Sequence, residues 1–147
     1  MGYREYIVAA AAAVLAGCIQ YEPHPEPPAD HHVQVAVDAV SAFYGEDFSD
    51  VNIAWAAGEC MTEWPVSQCT WGFQKPGRIW VIYWGPGRPL AETELAHELT
   101  HEYLHRTECD GDGDHEHPLW DLLGDVNAWV RQAEVGAGYW PVAKGEP

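Results

Sequence analysis

Apolar positions along this chain change period several times, and each change marks an element. Val33, Ala36, Val37, Val40 and Tyr44 recur at helical spacing over residues 32–44, with Gly45 as a stop beyond the last turn. Residues 52–57 are short and β-prone and end at Gly58. Arg78 to Trp84 (Arg-Ile-Trp-Val-Ile-Tyr-Trp), bounded by Gly77 and Gly85, is the best strand in the chain. Gly85-Pro86-Gly87-Arg88-Pro89 turns it into a helical stretch from Leu90 to Arg106. There Leu95, Leu99 and Tyr103 share one face, while His97, His101, Leu104 and His105 fall roughly opposite. An acidic, glycine-punctuated loop spans residues 108–117. Pro118 then suits the first position of a helix, and Leu119, Leu122, Leu123, Val126, Trp129 and Val130 give that helix a strongly amphipathic pattern. Helix, two or three strands, helix, acidic loop, helix: this order predicts a small α+β domain.

The N-terminus reads differently. Ile7 to Ala16 is an apolar run too short to span a bilayer, and it has the form of the core of an export signal. It ends in Leu15-Ala16-Gly17-Cys18, which resembles the lipobox of bacterial lipoproteins. That resemblance implies cleavage before Cys18, acylation of Cys18 and a lipid anchor; Ile19 in the next position favours the outer membrane. An ordinary export signal with a chance cysteine is the alternative. Residues 21–28, with four prolines, predict an extended, semi-rigid tether carrying solvated His24, followed by solvated His31 and His32. The expected division is a signal at 1–17, lipidated Cys18 and tether at 18–31, and a folded domain at 32–147.

Composition bounds the function. A chain of 147 residues makes one domain, and its net charge of −16 argues against nucleic acid, whose phosphates it would repel. Of eight Trp, Trp55, Trp71, Trp80, Trp84, Trp120 and Trp129 are expected to fill the core, with Trp64 exposed to a partner. In an exported protein Cys60 and Cys69 are expected to form a disulfide. With Cys18 lipidated, Cys109 is then left over; its pairing with Cys60 or Cys69 is the alternative.

The chemistry centres on His97-Glu98-Leu99-Thr100-His101. Residues four apart on a helix share a face about 6 Å apart along the axis. Two imidazoles so placed can hold one metal ion, and the intervening carboxylate can reach a water on it. A third ligand is needed. His105 lies two turns up the helix, too far to join from a straight axis. His115, in the loop that must fold back, is the favoured third ligand, with His117 and Asp121 as alternatives. Asp110, Asp112, Asp114, Asp125 and Glu94 are candidates to orient the histidines. Asp110, Asp112 and Asp114 also suggest a calcium loop, though His115 stands where that loop requires glycine.

From His97-Glu98-x-x-His101 and the strand before it, the chain resembles the zincins, metallopeptidases named for this motif. The run from Cys109 to His115 followed by Pro118-Leu119-Trp120 is similar to small bacterial lipoproteins regarded as metallopeptidases. The resemblance covers about Arg78 to Val130. It implies a small zincin-like domain, with a short mixed sheet packed on an active-site helix and a C-terminal helix. It further implies that Arg78–Trp84 is the edge strand along which substrates lie, and that Zn2+ is held by His97 and His101. Glu98 would be the general base for a zinc-activated water that hydrolyses a peptide or protein substrate. Tyr83, Tyr139 or His117 would stabilise the oxyanion. Thr107 stands where a metzincin would place its third histidine, so the chain departs from that subgroup. The alternative is a non-catalytic zinc-binding surface lipoprotein that serves binding or envelope assembly.

Overall fold

A computed structural model describes residues 19–63 and 66–140, so the expected signal, Cys18 and Trp64 lie outside the described residues. The elements are β1 (Ile19–Pro23), α1 (Asp30–Tyr44), β2 (Asn52–Glu63), β3 (Val66–Thr70), β4 (Gly72–Lys75), β5 (Arg78–Ile82), α2 (Leu95–Glu108) and α3 (Leu123–Gly136). Single 3₁₀ turns, Leu90–Glu92 and Pro118–Leu122, precede α2 and α3. The fold is α+β, as the order of apolar patterns predicts. The strands form one mixed sheet in the order β1-β2-β5-β4, with β3 paired to the far half of β2. β2 and β5 run parallel and the other pairs antiparallel.

Strand alternation divides the interior. Ile79, Val81 and Tyr83 point to the helices, where they meet Val40 of α1, Leu95 and Leu99 of α2, and Val126 and Val130 of α3. Trp80 and Ile82 point the other way and join Ala56, Met61, Phe73 and Tyr21 in a second, smaller core. The long β2 serves both: its first half pairs with β5, and its second half carries β1 and β3. Cys60 and Cys69 form a disulfide across β2 and β3, Cα–Cα 5.3 Å, while Cys109 is free and exposed.

Several expectations change here. β5, read as the edge strand, is interior, flanked by β2 and β4; the edge beside α2 is β4. β2 continues past Gly58 to Glu63 because β1 and β3 supply its partners. The stretch expected as a free tether therefore contributes β1, the His24 N–H donates to the Trp55 carbonyl (2.9 Å), and Pro28 is buried. Pairing β1 also removes an open edge from β2. His32, expected in solvent, is buried on the stripe that carries Ala36 and Ala39. Among the described tryptophans only Trp80 is buried; Trp71, Trp84 and Trp129 are 54%, 44% and 48% exposed. The core is chiefly aliphatic; Trp71 and Trp84 sit at strand ends, and Trp129 packs edge-on against Phe43 of α1.

Two buried carboxylates anchor α2. Glu134 of α3, fully buried, accepts from His32 Nε2 (2.5 Å), the Leu90 N–H (2.7 Å), the Ala91 N–H (3.2 Å) and Trp140 Nε1 (3.3 Å). It thus fixes the turn from which α2 departs. Glu102 accepts from Gln74 Nε2 (2.7 Å), the Gly77 N–H (3.1 Å) and Arg106 Nε (2.9 Å), tying α2 to β4 and its turn. Arg106 extends the tie to Asp50 (2.7 Å) and the Asp47 carbonyl (2.7 Å). Among the described residues no helix is long and apolar enough to cross a membrane.

Candidate metal centre

α2 presents Leu95 and Leu99 to the core, which leaves His97 and His101 half-buried one turn apart on the face toward the acidic loop. Their Nε2 atoms stand 3.1 Å apart. The loop brings His115 back to them, its Nε2 3.0 Å from that of His97 and 3.2 Å from that of His101. His117 goes elsewhere: its Nδ1 accepts from the Leu119 N–H (3.1 Å), capping the 3₁₀ turn, and its Nε2 pairs with Glu108 (2.9 Å). Asp121 is exposed. Among the described residues, the groups able to hold an ion are His97–His101–His115 and Glu94–His97–Glu98. The Asp110, Asp112 and Asp114 carboxylates do not form such a group.

The donor set fits a metal ion. His101 Nδ1–H donates to the Gly111 carbonyl (2.5 Å), so its Nε2 carries a bare lone pair. His97 Nδ1 faces Glu94 Oε2 at 3.4 Å, which orients its ring in the same sense. Three imidazole Nε2 atoms converge within 3.2 Å of one another, an arrangement that could hold one ion. A tetrahedral zinc with Zn–N near 2.05 Å separates its nitrogens by about 3.3 Å, close to the spacing here. Burial, with His101 and His115 as like-charged neighbours, pushes His97 down to about 4; burial chiefly lowers His101 as well. Both are therefore neutral at physiological pH, the form in which an imidazole can bind a metal.

Glu98 occupies the adjoining position on the helix and is 4% exposed. Burial, then the Glu94 charge one turn away, pushes it up to about 8. Its carboxylate takes no hydrogen bond among the described residues. It rests on β4 at Gly72, where a Cβ would lie 2.7 Å from its Cδ and 2.8 Å from its Cγ. Only glycine gives it that room. His97, Glu98, His101 and His115 open on a cleft of about 380 Å³, walled opposite by Gly72, Phe73 and Gln74 of β4 and by Thr70, Gln68 and Glu63 of the disulfide-linked hairpin. Neither Tyr83 nor Tyr139 lines it. Tyr83 packs between His24 and Trp55, and Tyr139 stacks on His32.

Two contributors had no legible signal in the sequence. Trp120, expected in the core, lies against all three imidazoles, with ring centroids 4.9, 4.6 and 4.5 Å from His97, His101 and His115. Gly72 was one glycine among fourteen; only its register opposite Glu98 distinguishes it. Compared with known protein families, curated proteins and solved structures, the chain matches none.

Proposed function

We propose that this chain is a zinc-dependent metallopeptidase of zincin type, exported and held in a bacterial envelope by lipid on Cys18. The observation that carries the reading is the convergence of three imidazole nitrogens beside the buried Glu98, on the floor of a cleft bordered by a sheet edge. His97, His101 and His115 would hold the ion. Zinc, when bound there, supplies Lewis-acid polarisation of a carbonyl and a water acidified toward a pKa of about 7.

The remaining work falls to the chain's own side chains. Glu98, close to the ligands and shielded from solvent, takes the proton of the attacking water and returns it to the leaving amine. A carboxyl raised by burial is suited to carry a proton near neutral pH. Among the described residues β4 pairs only with β5, so its outer edge has no strand partner and is available to an extended peptide, with the Gly72 carbonyl accepting from the Thr70 hydroxyl (3.1 Å). Gly72 on that edge leaves the approach open.

Elemental analysis of the purified chain, with cleavage of a broad peptide library, tests the reading. Zinc at one equivalent is expected, and Glu98→Gln should retain it while losing about 10²- to 10⁴-fold in cleavage rate. Substoichiometric zinc after chelator-free purification would remove the zinc assignment. Full zinc without cleavage by the wild type would leave the non-catalytic zinc-binding lipoprotein in its place.

A further inference from the structure

The loop that carries His115 is built around one residue. Asp112 donates its N–H to Asp110 Oδ1 (2.9 Å). Its carbonyl accepts the His115 N–H (3.0 Å). Its carboxylate Oδ2 accepts the His117 N–H (2.8 Å) and the indole N–H of Trp120 (2.5 Å). The same Trp120 ring backs the three imidazoles. Asp112 therefore touches the loop before, at and after His115, together with the aromatic wall behind the site, yet its carboxylate belongs to neither ion-holding group.

We propose that Asp112 is the positioning residue of the metal centre, a latch that delivers His115 to the helix histidines through the loop backbone and Trp120. The inference rests on the metal-centre reading given above. His115 is exposed and lies in a segment with little packing of its own. It also adopts the left-handed backbone region (φ +59°), as does Asp112 (φ +53°). Asp and His enter that region more readily than most residues but at a cost that surrounding contacts offset, and here the contacts run through Asp112. The His97 and His101 positions come from α2 itself and from the Gly111 carbonyl. His115 has no comparable support from regular structure. An acidic side chain is suited to this task, because one carboxylate oxygen can accept from a backbone N–H and an indole N–H together.

The test measures zinc affinity of the full chain by competition with a chelator of known strength, alongside thermal unfolding of the metal-free protein. Asp112→Ala should weaken zinc binding about 10- to 100-fold. Asp112→Asn, which keeps a carbonyl acceptor, should recover part of that loss. Trp120→Phe, which keeps a ring behind the imidazoles but removes the N–H, should fall between Asp112→Asn and Asp112→Ala. The decisive comparison is the double variant. If Asp112 acts through His115, then in a His115→Ala background Asp112→Ala should change zinc affinity by less than about twofold. A merely structural residue would lower the unfolding temperature and weaken zinc equally in both backgrounds, and that outcome overturns the proposal. So does unchanged zinc affinity in Asp112→Ala. A wild type that binds no zinc would instead take down the metal-centre reading itself. Should Asp112→Ala fail to fold, Asp112→Asn and Trp120→Phe carry the same comparison in both backgrounds.

Discussion

Replacing Gly72 with alanine should separate proton transfer from metal binding. The added Cβ would stand 2.7 Å from Glu98 Cδ and 2.8 Å from Cγ, whereas carbon atoms in ordinary contact sit about 3.5–4.0 Å apart. Glu98 must therefore retreat by roughly 1 Å from the β4 wall, toward the open side of the cleft. A displacement of that size at a reacting group costs about 100-fold in rate, near 2.7 kcal/mol on the barrier. Zinc content and affinity should stay at the wild-type level, since the atoms nearest the added Cβ all belong to Glu98 and none to a histidine. The assay pairs metal content with kcat/KM on any peptide the wild type cleaves. A Glu98→Gln background supplies the control: with the base already gone, Gly72→Ala should cost nothing further. Cleavage by Gly72→Ala at the wild-type rate, while Glu98→Gln is inactive, would refute the view that this wall sets the position of the carboxylate.

Other outcomes follow from the buried ties. Glu134→Leu strands His32 and the Leu90 and Ala91 N–H groups, which should cost about 3–5 kcal/mol and lower Tm by roughly 10–20 °C in thermal unfolding, with Glu134→Gln milder. Burial raises Glu102, but hydrogen bonds from Arg106, Gln74 and the Gly77 N–H outweigh it and hold the carboxyl below its ordinary range. A depressed carboxyl stabilises above its unfolded pKa of about 4.3, and that contribution disappears as pH falls through the lower folded value. The stability gap between wild type and Glu102→Gln should therefore be about 2 kcal/mol near neutrality and close as urea titrations move to lower pH; a gap independent of pH would contradict the assignment. Replacing Cys60 and Cys69 by serine opens a link across nine positions and should cost about 2–3 kcal/mol of folding stability in the same titrations.

The sequence by itself determined whatever depends on neighbours within one or two turns. The stripe of Val33, Ala36, Val37 and Val40 specifies α1, and the run from Ile79 to Ile82 specifies a buried strand. Four-residue spacing aligns His97 with His101, because helix geometry is short-ranged. Spacing also confined the third histidine to a loop that must fold back. Within that loop it favoured His115 without excluding His117, two residues on; the folded loop turns His115 toward His97 and His101 and His117 toward Glu108 at the end of α2.

Tertiary structure alone decided the rest. A lone strand sequence does not reveal its place in the sheet, so β5 read as an edge although β4 takes that position. His32 looks polar until α3 supplies Glu134, 102 positions away. Trp120 and Gly72 acquire a role only where the loop and β4 meet α2. Such pairings are fixed by burial and hydrogen bonding between segments far apart in the chain, whose proximity local periodicity does not encode.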